Sequence, residues 1–114
     1  MKPILSKAQL DYMKAKTKFE DKAKVMEKKI ELARAAHNEI TQEIMEELVL
    51  ETGFHDSFNE LTLAENALIE WSHTTIKHDK TYRSNKAEID LMYSRLNQDP
   101  EMRAKIIQLA MKIR

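Results

Sequence analysis

From Ser6 onward, apolar side chains return in alternating steps of three and four. The stripe runs Tyr12, Phe19, Ala23, Met26, Ile30, Ala33, Ile40 and Ile44, with Lys16 and His37 as its polar members. That period belongs to a helix, and so regular a seam wants a second helix lying along it. Ser6 has the chemistry of an N-cap, and no Gly or Pro follows before Gly53, so one helix over 6–52 is predicted. Thr52-Gly53-Phe54-His55-Asp56-Ser57 then supplies a stop and a restart. Gly53 can take the left-handed conformation that ends a helix, and Asp56 or Ser57 can cap the next. Glu60, three residues beyond Ser57, would complete a capping box, and the turn is placed at 53–56.

A second stripe follows: Leu61, Ala64, Leu68, Trp71, Thr75, His78, Tyr82, Asn85, Ile89, Met92 and Leu96. It predicts a helix over 57–97. Its middle is polar, and Thr74-Thr75-Ile76 and Ser84 favour a break near 77–84. Asn97-Gln98-Asp99-Pro100 is a firm boundary, with Asp99 as cap and Pro100 at the first helical position, where its missing N–H costs nothing. The last helix, 100–113, presents Met102, Ile106, Leu109 and Ile113 on one face, expected to fold back on Ile4, Leu5, Leu10 and Met13.

The expected fold is therefore all-α: a long antiparallel, coiled-coil-like helical hairpin with a short C-terminal helix, in one domain over 1–114. Folding the chain at Gly53 sets Met26 near Tyr82 and Ile40 near Leu68. Val25 and Leu32, seven apart beside the main seam, form a second strip. It suits an oligomer face, as in a helical-bundle dimer, and equally a surface covered by the last helix.

Composition agrees with this class. One Gly and two Pro in 114 residues leave too little punctuation for an all-β or α/β fold. The chain has no Cys, which removes disulfides, thiol catalysis and Cys-based zinc sites. No apolar run reaches the roughly 20 residues of a membrane span. Met-Lys-Pro-Ile-Leu-Ser-Lys lacks an apolar core for a secretory signal, so no membrane association and a cytoplasmic location are expected.

The charge layout changes the picture more. Residues 1–36 carry ten Lys/Arg and five Asp/Glu, and residues 71–114 carry nine and five. Residues 37–70 carry no Lys or Arg and nine Asp/Glu, although the chain is neutral overall. In a hairpin closed at Gly53, that block is an acidic tip opposite a basic base. Solvation and ordinary ion pairing explain charged helix faces in most proteins. The sharper reading is a partner-binding tip made by Glu43, Glu46, Glu47, Glu51, Asp56 and Glu60.

Candidate chemistry is sparse. Glu70 and His73 have the spacing of one ligand pair in carboxylate-bridged di-iron bundles, which need two such pairs and two more glutamates. His37 has Arg34 where the matching Glu would stand, so neither a metal nor another cofactor is expected. His37 and His78 on the seams read first as half-buried, hydrogen-bonded histidines and second as pH-sensitive contacts. Lys16 and Asn85 read as register-setting polar residues, and Phe19 and Trp71 as core. No nucleophile, phosphate loop or base in a motif context suggests catalysis. Lys14, Lys18, Lys22, Lys28, Arg83 and Lys86 could contact phosphates, but acidic residues interrupt them and few aromatics accompany them.

In outline the chain resembles prefoldin subunits, with two long helices about a central break and Glu47–Leu50 and Glu60–Leu63 in the place of short strands. It is also similar in length to small secreted helical hairpins marked by a Trp-x-Gly turn. Here the turn reads Thr52-Gly53-Phe54, and Trp71 falls inside a helix. The function expected from the residues is a non-enzymatic protein–protein interaction module, an adaptor, chaperone or small regulator, and a homo-oligomer. Nucleic-acid binding through the basic end is the alternative.

Overall fold

The computed structural model describes residues 5–113, and every regular element among them is helical. In order these are α1 (Lys7–His37), α2 (Gln42–Thr52), α3 (Phe54–Thr75), a 3-10 turn (Ile76–His78), α4 (Lys80–Ser84), α5 (Lys86–Ser94) and α6 (Pro100–Lys112). The segments Glu47–Leu50 and Glu60–Leu63 lie inside α2 and α3, so the strands of the prefoldin-like outline are absent.

The helix ends follow from side-chain chemistry. Ser6 and Gln9 close a reciprocal cap: the Ser6 N–H donates to Gln9 Oε1 at 2.8 Å and the Gln9 N–H to Ser6 Oγ at 3.2 Å. Asp99 caps α6 by accepting from the Glu101 N–H at 3.0 Å, with Pro100 opening the helix.

The helix expected over 6–52 is two helices. Asn38 ends α1 in the left-handed conformation, φ 62°, and donates its N–H to the Arg34 carbonyl at 2.8 Å. Thr41 starts α2, its Oγ1 accepting from the Ile44 N–H at 3.2 Å. Gly53, φ 70°, separates α2 from α3 by a single residue, so the turn expected over 53–56 shrinks to a junction. Ser57 does not cap: it lies within α3, buried, with its hydroxyl donating to the Phe54 carbonyl at 2.7 Å. Glu60, freed from that role, bonds Lys18 instead.

At the two left-handed positions glycine and alanine should act differently. Asn38→Gly should leave stability unchanged or raise it slightly, whereas Asn38→Ala and Gly53→Ala should each cost about 1 kcal/mol. A methyl at Gly53 meets nothing nearer than Lys22 Nζ at 4.0 Å, so the cost there is backbone strain alone. Denaturant midpoints for the three variants check this.

The chain divides into two compact units, with the division falling inside α1 and α3. Of the described residues, unit 1 comprises 5–12 and 64–113. Its core is Leu68 and Ile69 from α3, Ile76 from the 3-10 turn, Ile89 and Tyr93 from α5, and Ile106, Ile107, Ala110 and Ile113 at α6. Ala8 and Tyr12 of α1 pack against this core, while Leu10 is exposed; Ile4 lies outside the described residues. Gln9 makes the tie to α6. Its Nε2 donates to the carbonyls of Ala110 at 2.9 Å and Ile113 at 3.0 Å. After α3 the stretch expected as a helix over 57–97 with a break near 77–84 runs as the 3-10 turn, α4 and α5 in succession.

Unit 2 is residues 13–63. Lys18 pairs with Glu60 at 2.9 Å, Lys29 pairs with Glu51, and the Phe19 ring lies 5.3 Å from Phe54 and 6.0 Å from Phe58. These contacts double the chain back at 38–41, not at Gly53. The α1 seam faces inward as its spacing predicts: Met26 is buried and Phe19, Ala23, Ile30 and Ala33 are half-buried. Its polar members Lys16 and His37 are exposed, which removes their register-setting and half-buried readings.

Candidate functional site

Apolar surface is unevenly distributed along the chain. Large exposed apolar side chains among the described residues are Leu10, Met13, Val25, Leu32, Leu50, Phe58, Leu63 and Leu91, and all but Leu10 and Leu91 belong to unit 2. Leu50 is 83% exposed, and Leu32 and Leu63 are each 70%. The same unit fully buries one apolar residue among those described, Met26. Two helical layers have one shared seam, and the flanks of both then stay in water unless something covers them.

On α2 one such flank is a shallow groove of about 450 Å³ lined by Gln42, Met45, Glu46, Val49 and Leu50. Its floor is apolar, and α2 supplies four carboxylates, Glu43, Glu46, Glu47 and Glu51, with no basic residue. Val25 and Leu32, the expected oligomer strip, are both exposed on α1.

Moving the reversal to 38–41 redraws the charge map. The acidic block does not stand as a tip around Gly53, because α2 and the start of α3 lie against the basic length of α1. Glu51 and Glu60 are held by Lys29 and Lys18, while Glu43, Glu46, Glu47 and Asp56 are exposed without an ion pair among the described residues. Both pairs are at the surface, where each contributes about 0–1 kcal/mol. Of the possible phosphate contacts, Lys14, Lys18, Lys22 and Lys28 are on α1 in unit 2, with Lys18 paired and Lys22 half-buried near Gly53. Arg83 and Lys86 are exposed on α4 and α5 of unit 1.

Unit 1 has a cleft of about 510 Å³ between α3, α5, the 95–99 connection and α6. Glu70 and His73 line it together with Asp90, Tyr93, Asn97 and Arg103. Its charged groups are largely spoken for. Arg103 donates to Asn66 Oδ1 at 2.8 Å and pairs with Glu65 at 3.5 Å, and Asp90 accepts from the Tyr82 hydroxyl at 3.0 Å. The His73 ring stacks on Tyr93 with centroids 4.5 Å apart. Among the described residues no three His, Asp or Glu side chains gather as metal ligands. His78 and Asn85, on the second seam, are exposed, and Trp71 is half-buried against the core.

Burial raises the Tyr93 phenol above its ordinary value of 10.0, partly opposed by the hydrogen bond with Ser72. The folded form therefore holds its proton at a pH where the unfolded chain has released it. Stability from this group is complete below the unfolded value of about 10 and is lost as pH rises through the folded value. Tyr93→Phe should flatten the alkaline fall in the thermal midpoint, and phenolate absorbance should lose one late-titrating component while that of Tyr82, raised by burial and by Asp90, stays.

Comparison with protein-family models, curated proteins and solved structures finds no match to this chain.

What spacing alone missed is specific. Asn38 followed by Thr41 is a helix stop and restart without Gly or Pro. Leu50 and Leu63 lie off both seams, a placement that by itself marks apolar residues left outside the main contact.

Proposed function

We propose that the protein is a non-enzymatic helical interaction module, an adaptor, chaperone or small regulator, that binds a protein partner through the flanks of unit 2. The observation that carries the reading is the exposure of Leu32, Leu50 and Leu63 in a unit whose own packing buries Met26 alone among its large apolar residues. Paired helices of this kind, a short hairpin closed at 38–41, offer amphipathic faces to a third helix or groove. The carboxylates Glu43, Glu46, Glu47 and Asp56 of α2 and the start of α3 favour a basic partner surface. No helix among the described residues is long and apolar enough to cross a membrane. The expected location remains cytoplasmic.

The test is affinity capture from the native cell with the full chain and with Leu50→Ser and Leu63→Ser. A protein partner retained by the parent and lost by both variants supports the reading. Equal recovery with all three, or recovery of nucleic acid in place of protein, overturns it. Nucleic-acid binding has weaker support, since the acidic block lies beside the α1 lysines and Lys18 already holds a carboxylate.

A further inference from the structure

An occupant of the α2 groove must present an apolar ridge on a helix, with positive charge beside it. Met45, Val49 and Leu50 form the apolar floor, and Glu46 stands one helical turn before Val49 and Leu50 on the rim. The chain itself carries such a ridge. Val25 and Leu32 are seven apart on α1, hence on one face, and both are exposed. Lys28 lies between them, three residues after Val25 and four before Leu32, and Lys14 lies on the same side of the helix toward its start. Neither lysine has an ion-pair partner among the described residues, and neither do Glu43, Glu46 or Glu47.

We infer that the groove's occupant is a second copy of this chain, with the Val25/Leu32 ridge of one copy seated on the Met45/Val49/Leu50 groove of the other and Lys28 beside Glu46. This rests on the reading that unit 2 is the contact face, and it names the partner. Ridge and groove belong to one unit, so a twofold arrangement satisfies both at once: each copy gives its ridge and receives its partner's. The charges agree, because α2 has four carboxylates and no cation while the ridge is flanked by lysine. The pairing also repeats between copies what Lys18–Glu60 and Lys29–Glu51 do within one. Four helices in place of two would turn half-covered seams into a bundle core.

Sedimentation velocity of the full chain over a range of concentrations tests the inference, with circular dichroism to confirm that each variant keeps its helix. The parent should pass from monomer to dimer as concentration rises, and Leu32→Ser or Leu50→Ser should weaken the dimer at least about tenfold. Lys28→Glu and Glu46→Lys should each weaken it as well, by setting like charges opposite one another. Mixing these two variants should restore a heterodimer, since one contact is then reversed in sign and the other is native. A helical parent that stays monomeric at all concentrations overturns the inference. A dimer that ignores all four substitutions, or whose charge variants fail to complement, overturns the proposed contact. A monomer that still loses its captured partner on Leu50→Ser would leave the contact face standing with a different occupant; a monomer whose capture is indifferent to Leu50→Ser would remove both.

Discussion

Gln9→Glu is expected to destabilise unit 1 strongly at neutral pH, more than Gln9→Ala, which itself should cost about 2–4 kcal/mol. The Gln9 side chain is 1% exposed, and its amide is used at both ends. Nε2 donates to the carbonyls of Ala110 and Ile113, and Oε1 accepts the Ser6 N–H that opens α1. The last carbonyls of a helix have no partner within it, so one buried amide here serves the end of α6 and the start of α1 together. Alanine removes the bonds to the Ile113 carbonyl and the Ser6 N–H, and leaves the Ala110 carbonyl only the long 3.4 Å bond from the Ile113 N–H. Glutamate is worse, because a carboxylate cannot donate and would face two carbonyl oxygens in a buried position.

Burial and those oxygens would hold the introduced carboxyl above the ordinary glutamate value of about 4.3. Between the unfolded and the raised folded value the native form carries the extra proton, so stability falls as pH rises through that window. Relative to the parent, Gln9→Glu should recover on acidification while Gln9→Ala should not. Denaturant midpoints measured against pH distinguish the two. Recovery stays partial, since a protonated carboxyl offers one donor for two carbonyls.

Ile106→Ala is the second large effect expected, about 2–5 kcal/mol. Ile106 is fully buried among the side chains that α3, α5 and α6 bring together, so its removal opens a cavity where the three helices meet. For a unit of this size, that corresponds to a fall of roughly 10–30 °C in the thermal midpoint. Leu50→Ala is the matched control. It removes a comparable side chain from a position 83% exposed and should cost about 0.5 kcal/mol or less. A large cost at Leu50 in the isolated chain would mean that the residue is already covered.

The two stripes were legible because burial imposes a period. Leu68, Ile89 and Met26 are buried, and Leu61, Ala64, Trp71, Tyr82, Met92 and Leu96 half-buried, where spacing put them. Asp99-Pro100 likewise specifies the start of α6 through chemistry confined to two residues. The reversal at 38–41 was not legible from breakers, because Asn reaches the left-handed region without glycine and Thr41 is an ordinary polar residue until its cap is seen. That one difference carried others with it. A reversal well before Gly53 changes which charges meet, so Glu51 and Glu60 face lysines instead of forming a tip. It also frees Ser57 from capping and buries it.

Gln9 was hidden for a different reason. A glutamine three residues after Ser6 has the spacing of a cap, but its bonds to Ala110 and Ile113 depend on where α6 lands. Of the candidate residues, Val25 and Leu32 are exposed on α1. Glu70 and His73 do line a cleft, in company that makes a hydrogen-bonded and stacked surface rather than a ligand cluster.

Hydrogen exchange on the full chain, read separately for 13–63 and 64–113 at low and high protein concentration, tests most directly whether unit 2 awaits a partner. At low concentration the amides of α2 and of α1 beyond residue 13 should exchange well ahead of those around Leu68, Ile89 and Ile106. They should slow as concentration rises or as a captured partner is added, while the unit 1 amides hold their rates. Protection in unit 2 equal to that of the unit 1 core at the lowest concentration, and unchanged by any addition, would contradict a role as an interaction surface.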